Sequence, residues 1–279
     1  MPPAAGAPAA NDPGPAEPLP VGGTDPTMLP MVKGMCPMLA TGAITVNGVG
    51  LRAWVGTAGK QGGPLIIYWH GTGGNASTAT GELDKTLVSE TMSLGGAIVS
   101  MESGQQGNAL EWGVFTTGDF DIVDQVVACA IEQLHIDVRR IYTSGASAGG
   151  LAAGALAYAR SGYIAGSFPN SGGVAPWPGL NVFKDATHIP AVFTMHGARG
   201  KDMVVVEFTD TSLQLCNDVV AKGGVAVDCD HGGGHVAAPA DLRAAAWTFM
   251  KSHPFGTKPS PYAGGLPAGF PAYCKIVGK

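Results

Sequence analysis

The pattern of hydrophobic and polar positions alternates between short apolar runs and longer segments of helical periodicity. Residues 43–55 form two alternating apolar and polar runs around Asn47-Gly48, a dipeptide typical of a tight hairpin turn. Residues 64–69 are continuously apolar, as expected for a strand buried on both faces of a parallel sheet. Further strands are predicted at residues 97–100, 141–143, 163–169, 191–196 and 225–228.

Apolar residues recur every three or four positions in the segments between these strands. The clearest case is residues 121–134, where six apolar side chains share one face and Asp119 or Asp121 is a candidate helix cap. The last helix is predicted over residues 239–252, with a proline at its start. Other helices are predicted at residues 82–94, 148–160 and 204–222. This alternation predicts an α/β protein with a mostly parallel, doubly wound sheet flanked by helices.

The two ends of the chain differ from this core. Residues 1–30 are rich in proline, alanine and glycine and lack periodicity, so they are predicted to be a disordered linker. They resemble the spacer that remains after a signal peptide is removed, and we therefore expect a secreted or extracytoplasmic protein. Residues 31–279 are predicted to form a single domain, with the tail from residue 254 lying over its surface.

Composition argues against two classes of partner. Charged residues make up 13% of the chain, the net charge is −5, and no basic stripe of the kind that binds nucleic acid is present. No apolar run reaches the roughly 18 residues needed to span a bilayer. We therefore expect no nucleic-acid partner and no membrane span, and we expect a monomer.

The chain contains five cysteines, so at least one is unpaired within it. None has the Cys-x-x-Cys spacing of a zinc or redox site, and no metal is predicted. Two bridges are plausible: Cys216–Cys229, from a predicted helix to the next strand, and Cys36–Cys274, across the two ends of the core. Cys129 falls on the apolar face of a predicted helix and is expected to be a buried thiol. The alternative is that all five thiols are reduced.

A candidate nucleophile lies where the strand at residues 141–143 leads into the helix at residues 148–160. The connecting turn reads Gly145-Ala146-Ser147-Ala148-Gly149, which fits Gly-x-Ser-x-Gly. Such a turn lifts a serine Oγ above the sheet and points the N–H groups of the helix at a developing oxyanion. In a chain with 43 glycines the pentapeptide alone also fits an ordinary glycine-rich loop. The flanking strand and helix favour Ser147 as a nucleophile.

Further candidate groups follow other predicted strands, at the edge where parallel sheets bind ligands. The loop His70-Gly71-Thr72-Gly73-Gly74 is suited to oxyanion binding, with the backbone N–H groups of Thr72 and Ala148 as donors. The alternative is a plain glycine-rich turn. Asp202 is the candidate carboxylate that would orient an imidazole, and Asp210, on a predicted helix, is its competitor.

The candidate base lies in a second glycine-rich loop, which contains His231 and His235. Their spacing resembles that of metal ligands, but the three glycines between them exclude a helix. His235, the nearer to the last helix, is predicted to be the general base, and His231 a bystander. The resulting order of Ser147, Asp202 and His235 along the chain is that of the α/β-hydrolases.

The chain resembles the secreted α/β-hydrolase esterases that include feruloyl and acetylxylan esterases and short poly(3-hydroxybutyrate) depolymerases. The matching segments fall within about residues 40–255. They are His70-Gly71-Thr72-Gly73, Ile136-Asp137-Val138-Arg139-Arg140-Ile141-Tyr142 leading into the serine turn, and Gly232-Gly233-Gly234-His235. The resemblance implies a nucleophile at Ser147, a base at His235 and an oxyanion donor at Thr72.

Two segments depart from the pattern of this family. The loop from the strand to Asp202 is longer, which weakens the assignment of the acid. Residues 236–239 stand where many relatives carry Trp-Pro after the histidine, so a different substrate wall is expected.

Together these features predict a serine esterase that works through an acyl-enzyme without metal or cofactor. The short connection between the strands at residues 163–169 and 191–196 predicts no large lid and an open groove for bulky or polymeric esters, such as polyesters. Trp112 and Trp177, in predicted loops, are candidates for stacking on a substrate, or for ordinary packing. A feruloyl- or acetylxylan-type carbohydrate esterase, a peptidase or amidase, and a non-catalytic polymer-binding protein on a hydrolase scaffold remain open.

Overall fold

The computed structural model describes residues 20–102, 115–175 and 180–279. Their centre is a nine-stranded sheet with the order β1-β2-β4-β3-β5-β6-β7-β8-β9. The strands are β1 (Gly42–Val46), β2 (Val49–Val55), β3 (Leu65–Trp69), β4 (Ala97–Met101), β5 (Ile141–Ala146), β6 (Gly166–Asn170), β7 (Ala191–His196), β8 (Ala226–Asp230) and β9 (Cys274–Ile276). The six strands from β3 to β8 are mutually parallel, whereas β1, β2 and β9 pair antiparallel at the two edges. The predicted α/β architecture is confirmed.

Helices cover both faces of this sheet. They are α1 (Ala79–Glu82), α2 (Lys85–Ser93), α3 (Asp119–Leu134), α4 (Ala148–Ala159), α5 (Phe208–Ala221) and α6 (Ala240–Lys251), with a short 3-10 helix at Ala76–Thr78. Strand β3 illustrates the two-sided burial. Its Leu65 and Ile67 pack in one apolar cluster with residues of α3 and α4, and its Ile66 packs in another with residues of α2 and α6. This explains why the sequence of β3 is apolar at every position.

The clearest differences from the sequence prediction lie at four elements. Strand β6 begins at Gly166, three residues later than predicted. The helix predicted over residues 82–94 is broken at Leu83, which is extended, because Asp84 starts a new helix by accepting hydrogen bonds from two backbone N–H groups of α2. Helix α5 begins at Phe208, four residues later than predicted. The tail, expected to lie over the surface, contributes strand β9 at the sheet edge.

Residues 20–30, which the sequence assigns to the linker, contact the domain. The backbone N–H of Thr24 donates to the carbonyl of Phe255 at 2.8 Å, and the Arg139 guanidinium donates to the carbonyl of Gly22 at 3.4 Å. The linker boundary at residue 30 stays a prediction, and residues 1–19 lie outside the described residues. None of the helices within the described ranges is both long enough and apolar enough to cross a membrane.

Both predicted disulfide pairings are wrong. Cys36 pairs with Cys129, and Cys229 pairs with Cys274, so Cys129 is not the free thiol that its helical position suggested. The free cysteine is Cys216, whose thiol is buried; burial raises its pKa to about 12. The prediction that at least one of the five cysteines is unpaired is confirmed.

Three-dimensional neighbours that the sequence does not reveal explain this pairing. The segment before β1 runs along α3, where backbone N–H groups of Lys33 and Leu39 donate to the side-chain oxygens of Gln125 and Gln133. This contact brings Cys36 against α3. At the other end of the chain, Cys229 on β8 faces its cross-strand partner on the unpredicted strand β9.

Removing the bridge between Cys36 and Cys129 by replacing both with alanine is expected to lower the free energy of unfolding by about 2–5 kcal/mol, because the bridge closes a long loop. Urea unfolding followed by circular dichroism measures this change. Cys216→Ala serves as the control, since it removes a cysteine and leaves both bridges intact. A double variant as stable as the parent would show that the bridge contributes no stability.

Candidate active site

A strained turn between β5 and α4 carries Ser147. Its backbone lies at φ 57° and ψ −123°, a conformation that side chains rarely adopt and that costs about 1–3 kcal/mol. Two glycines make the turn possible. A Cβ on Gly149 would lie 2.0 Å from the carbonyl oxygen of Trp69, and one on Gly145 would lie 2.4 Å from the carbonyl oxygen of Gly149. The Gly-x-Ser-x-Gly spacing therefore reflects close backbone packing against the end of β3.

The structure brings Ser147, His235 and Asp202 into one hydrogen-bonded chain. Ser147 Oγ lies 3.0 Å from His235 Nε2, and His235 Nδ1 lies 2.7 Å from Asp202 Oδ1. A carboxylate oxygen only accepts, so Nδ1 carries the imidazole proton and Nε2 accepts the hydrogen bond from the serine hydroxyl. The three residues follow β5, β7 and β8, and the sheet therefore gathers groups that are far apart along the chain.

Asp202 is fully buried, and both of its carboxylate oxygens are bonded. In addition to the bond from His235, Oδ2 accepts hydrogen bonds of 2.8 Å from the backbone N–H of Gly197 and from the hydroxyl of Ser171. Its competitor Asp210 instead pairs with Arg199 on the surface. The geometry therefore favours Asp202 as the partner of the histidine, although the loop that leads to it is longer than in the resembled family.

The ring of His235 is held on one face by an aromatic side chain. Phe208, the first residue of α5, stacks on it with ring centroids 4.9 Å apart and an interplanar angle of 18°. The backbone N–H of Ala198 donates to the carbonyl of Gly233 at 2.9 Å, which ties the histidine loop to the end of β7. These contacts restrict the imidazole while leaving 29% of its side chain exposed to solvent.

His231, the predicted bystander, does not contact Ser147 or Asp202 through any described hydrogen bond. Its Nδ1 accepts a hydrogen bond from the backbone N–H of Gly233 at 3.2 Å. Burial lowers its pKa, so the ring is neutral at pH 7. This hydrogen bond lies within the loop of residues 231–235, and His231 is not among the residues that line the pocket at Ser147.

The segments that carry the two predicted oxyanion donors adjoin Ser147. Thr72 is in the exposed turn after β3, and Ala148 is the first residue of α4. A Cβ on Gly71 would lie 3.4 Å from the Cβ of Ser147, so this turn passes directly along the serine. Among the residues that the structure describes, neither the N–H of Thr72 nor that of Ala148 has a backbone acceptor outside its own element.

Behind the site, His196 and Asp228 form a buried pair. His196 Nε2 lies 2.8 Å from Asp228 Oδ1, and Nδ1 lies 2.8 Å from the carbonyl oxygen of Gly197. Both ring nitrogens face acceptors, which favours the doubly protonated ring. Burial opposes that charge, but the bonds to Asp228 and Gly197 and the charge of Asp228 outweigh it, so the pKa of His196 is raised. The same Gly197 peptide donates its N–H to Asp202.

This pair predicts a pH dependence of stability. In the unfolded chain His196 loses its proton near pH 6.5, whereas in the folded protein it keeps the proton to higher pH. Stability should therefore fall as the pH rises from about 6.5 through the raised pKa of the folded state. Asp228→Asn is expected to lower the free energy of unfolding by about 1–3 kcal/mol at pH 6 and to flatten this fall. Unfolding curves for both proteins from pH 6 to 9 measure it; parallel pH profiles would contradict the assignment.

A shallow groove of about 240 Å³ opens over the serine. It is lined by Glu82, Ala146, Ser147, Asn170, Ser171, His235, Val236 and Ala237. Trp112 and Trp177, the predicted stacking residues, lie outside the described residues. Between β6 and β7, residues 171–175 and 180–190 contain neither helix nor strand. Within the described part of the chain, no group of three or more histidine, cysteine or acidic side chains is placed to hold a metal ion.

The sequence did not point to two residues that contact Asp202 and His235. Ser171 bonds to Asp202, and Phe208 stacks on His235. Ser171 stands in Asn170-Ser171-Gly172-Gly173, a glycine-rich turn directly after a strand, and this is the signal that marked the other site loops. Phe208 carries no such signal, because its role depends on where α5 begins.

Comparison with solved structures identifies the fold. No family model and no curated protein sequence matches the chain. Native pOPH superposes with a TM-score of 0.66 at 16% identity, covering 88% of this chain and 96% of that one. The Pyrobaculum calidifontis esterase superposes with a TM-score of 0.53 at 15% identity, covering 75% and 80%. The serine hydrolase FphF of Staphylococcus aureus, described as fluorophosphonate-binding, gives 0.53 at 13% identity, covering 73% and 92%.

The protein has the α/β-hydrolase fold. All of these identities lie below 25%, so the likeness extends to the fold alone. In α/β-hydrolases the nucleophile sits on a sharp turn after a central strand, which is the place of Ser147 in this chain. The similarity to feruloyl esterases and poly(3-hydroxybutyrate) depolymerases remains a resemblance in sequence motifs.

Proposed function

We propose that the protein is a serine esterase that hydrolyses carboxylic esters through a covalent acyl-enzyme. The observation that carries this proposal is the hydrogen-bonded chain from Ser147 through His235 to the buried Asp202. Two neighbours of the same fold are named an esterase and a serine hydrolase, which supports it. No metal or cofactor is needed for this chemistry.

The geometry suggests the following sequence of steps. His235 Nε2 accepts the proton of the Ser147 hydroxyl as Oγ attacks the ester carbonyl, and the N–H groups of Thr72 and Ala148 receive the charge on the carbonyl oxygen. The imidazolium, stabilised by Asp202, passes the proton to the departing alcohol. A water molecule, activated by the same imidazole, then releases the acid and restores Ser147.

The proposed substrates are bulky or polymeric esters, in particular polyesters. The groove over Ser147 has a volume of about 240 Å³, and the described residues between β6 and β7 form no helix or strand that could serve as a lid, which supports a bulky substrate. A carbohydrate esterase of the feruloyl or acetylxylan type is the second candidate, on the strength of the sequence resemblance. Two disulfides favour a secreted protein, because such bonds persist in oxidising compartments.

Hydrolysis of p-nitrophenyl acetate and butyrate tests the activity, and a polyester film and a feruloylated oligosaccharide then separate the two substrate classes. We expect turnover of the p-nitrophenyl esters and soluble product from the film. Product from the oligosaccharide alone would favour the carbohydrate esterase. Binding to the film without hydrolysis of any ester would instead support a non-catalytic polymer-binding protein.

A further inference from the structure

The groove contains a carboxylate that the proposed reaction does not use. Glu82, the last residue of α1, lines the groove together with Ser147 and His235. Apart from Glu82 and His235, the side chains that line this groove carry no charge and no titratable acid or base. The field at the ester therefore depends on Glu82 more than on any other described lining residue.

Tyr68, a buried residue of the core, holds the side chain of Glu82 in place. The Tyr68 hydroxyl donates a hydrogen bond to Glu82 Oε2, and the phenol is almost completely buried in β3. Burial and the neighbouring Glu82 carboxylate raise the pKa of Tyr68 well above its usual value, so the phenol keeps its proton. This bond fixes one carboxylate oxygen, and no described side chain forms a hydrogen bond with the other.

No salt bridge neutralises this carboxylate within the described ranges. Arg243, on the wall of the adjoining cavity, directs Nη1 at the backbone carbonyls of Gly81 and Glu82, at 3.0 Å each. Its positive charge weakens the field of Glu82 without pairing with the carboxylate. The groove consequently presents a fixed, unpaired negative charge beside the nucleophile.

We propose that Glu82 selects substrates by charge, so that the site prefers esters with a cationic group near the scissile bond over neutral ones, and neutral ones over esters with a carboxylate. This inference rests on the proposed esterase activity and names the substrate class of the same site. Two unit charges about 6 Å apart change a rate by about threefold at the dielectric constant of water, and by more at the lower effective dielectric constant of a protein surface. Added salt screens an exposed pair of this kind and reduces the effect.

The test compares kcat/KM for esters that differ in charge and little in shape. Butyrylcholine and its neutral carbon analogue 3,3-dimethylbutyl butyrate form the cationic comparison, and p-nitrophenyl hemiglutarate and p-nitrophenyl pentanoate form the anionic one. At low salt we expect kcat/KM for the cationic ester to exceed that of its neutral analogue by about threefold or more, and kcat/KM for the anionic ester to fall below that of its neutral analogue to a similar degree. Both ratios should approach one in about 0.5 M salt, which tests the inference without any variant.

Three variants separate charge from structure. Glu82→Gln keeps the shape and should bring both ratios close to one at low salt. Tyr68→Phe keeps the charge and should retain the preference, and Arg243→Gln should strengthen it. If Glu82→Gln lowers the rates for all esters equally and leaves the ratios unchanged, Glu82 is structural and the inference is wrong. Failure of the esterase proposal is distinct from this result, because the parent would then hydrolyse none of the esters.

Discussion

Ser147→Ala is expected to lower kcat for short-chain p-nitrophenyl esters by about 10⁴-fold or more, because it removes the atom on which the proposed acyl-enzyme forms. The residual rate would come from the N–H groups of Thr72 and Ala148 and from substrate binding, neither of which needs the hydroxyl. The strained backbone at position 147 is the same for serine and alanine, so stability should change little. Steady-state kinetics and a thermal unfolding curve measure the two effects.

Ser93→Ala is the matched control for this variant. Ser93 is an exposed serine on α2, and its hydroxyl bonds only to the carbonyl of Glu90 among the described residues. The same chemical change there should leave kcat within about twofold of the parent, as for most surface substitutions. If Ser147→Ala retained most of the parent activity while folding normally, the nucleophile would have to be another group.

Asp202→Asn is expected to lower kcat by about 10⁴-fold because it changes the tautomer of His235. Gly197 N–H and the Ser171 hydroxyl both donate to Oδ2 of the carboxylate. An asparagine must turn its carbonyl oxygen toward these two donors, which points its NH2 group at His235 Nδ1. Nδ1 then has to accept, the proton moves to Nε2, and the imidazole can no longer accept the proton of Ser147.

Asp210→Asn makes the same change at the competing carboxylate. Asp210 and its partner Arg199 are 55% and 61% exposed, so their pairing contributes little and the variant should keep the parent's kcat. Kinetics of the two asparagine variants, measured side by side, decide between the carboxylates. Equal losses, or a larger loss in Asp210→Asn, would overturn the choice of Asp202.

Much of the fold was predictable because burial leaves a direct trace in the sequence. The parallel strands are buried on both faces, so β3 is an apolar run and β7 is largely apolar, and the ends of both were placed within one residue. Helix α3 was likewise predicted from its apolar face, and only its first two residues were missed. The interruption between α1 and α2 was missed because the apolar spacing continues across Leu83 even though its backbone is extended.

The site loops were found for a related reason. The candidate residues Ser147, Asp202 and His235 stand in glycine-containing segments that follow strands, and the carboxyl ends of parallel strands meet at one edge of a sheet. The spacing cannot show which side chains support the site from neighbouring elements. Phe208 reaches the ring of His235 because of where α5 begins, and Glu82 reaches the groove because of where α1 ends. Both boundaries differ from the predicted ones.

The disulfides were out of reach because pairing depends on distances in the folded chain. Cys36 and Cys129 are 93 residues apart in sequence, yet their Cα atoms lie 5.5 Å apart. Cys274 lies on an edge strand of only three residues, which is too short to show a period of its own. Five cysteines allow many pairings, and the periodicity of the surrounding residues favours none of them.

The central claim, a covalent intermediate on Ser147, is tested most directly by trapping it. A p-nitrophenyl alkylphosphonate gives a phosphorus adduct that resembles the tetrahedral intermediate and hydrolyses slowly. We expect one p-nitrophenol released per chain, complete loss of ester hydrolysis, and an adduct that peptide mass spectrometry places on Ser147. Ser147→Ala should acquire no adduct. An adduct on another residue, or ester hydrolysis that continues after treatment, would contradict the claim.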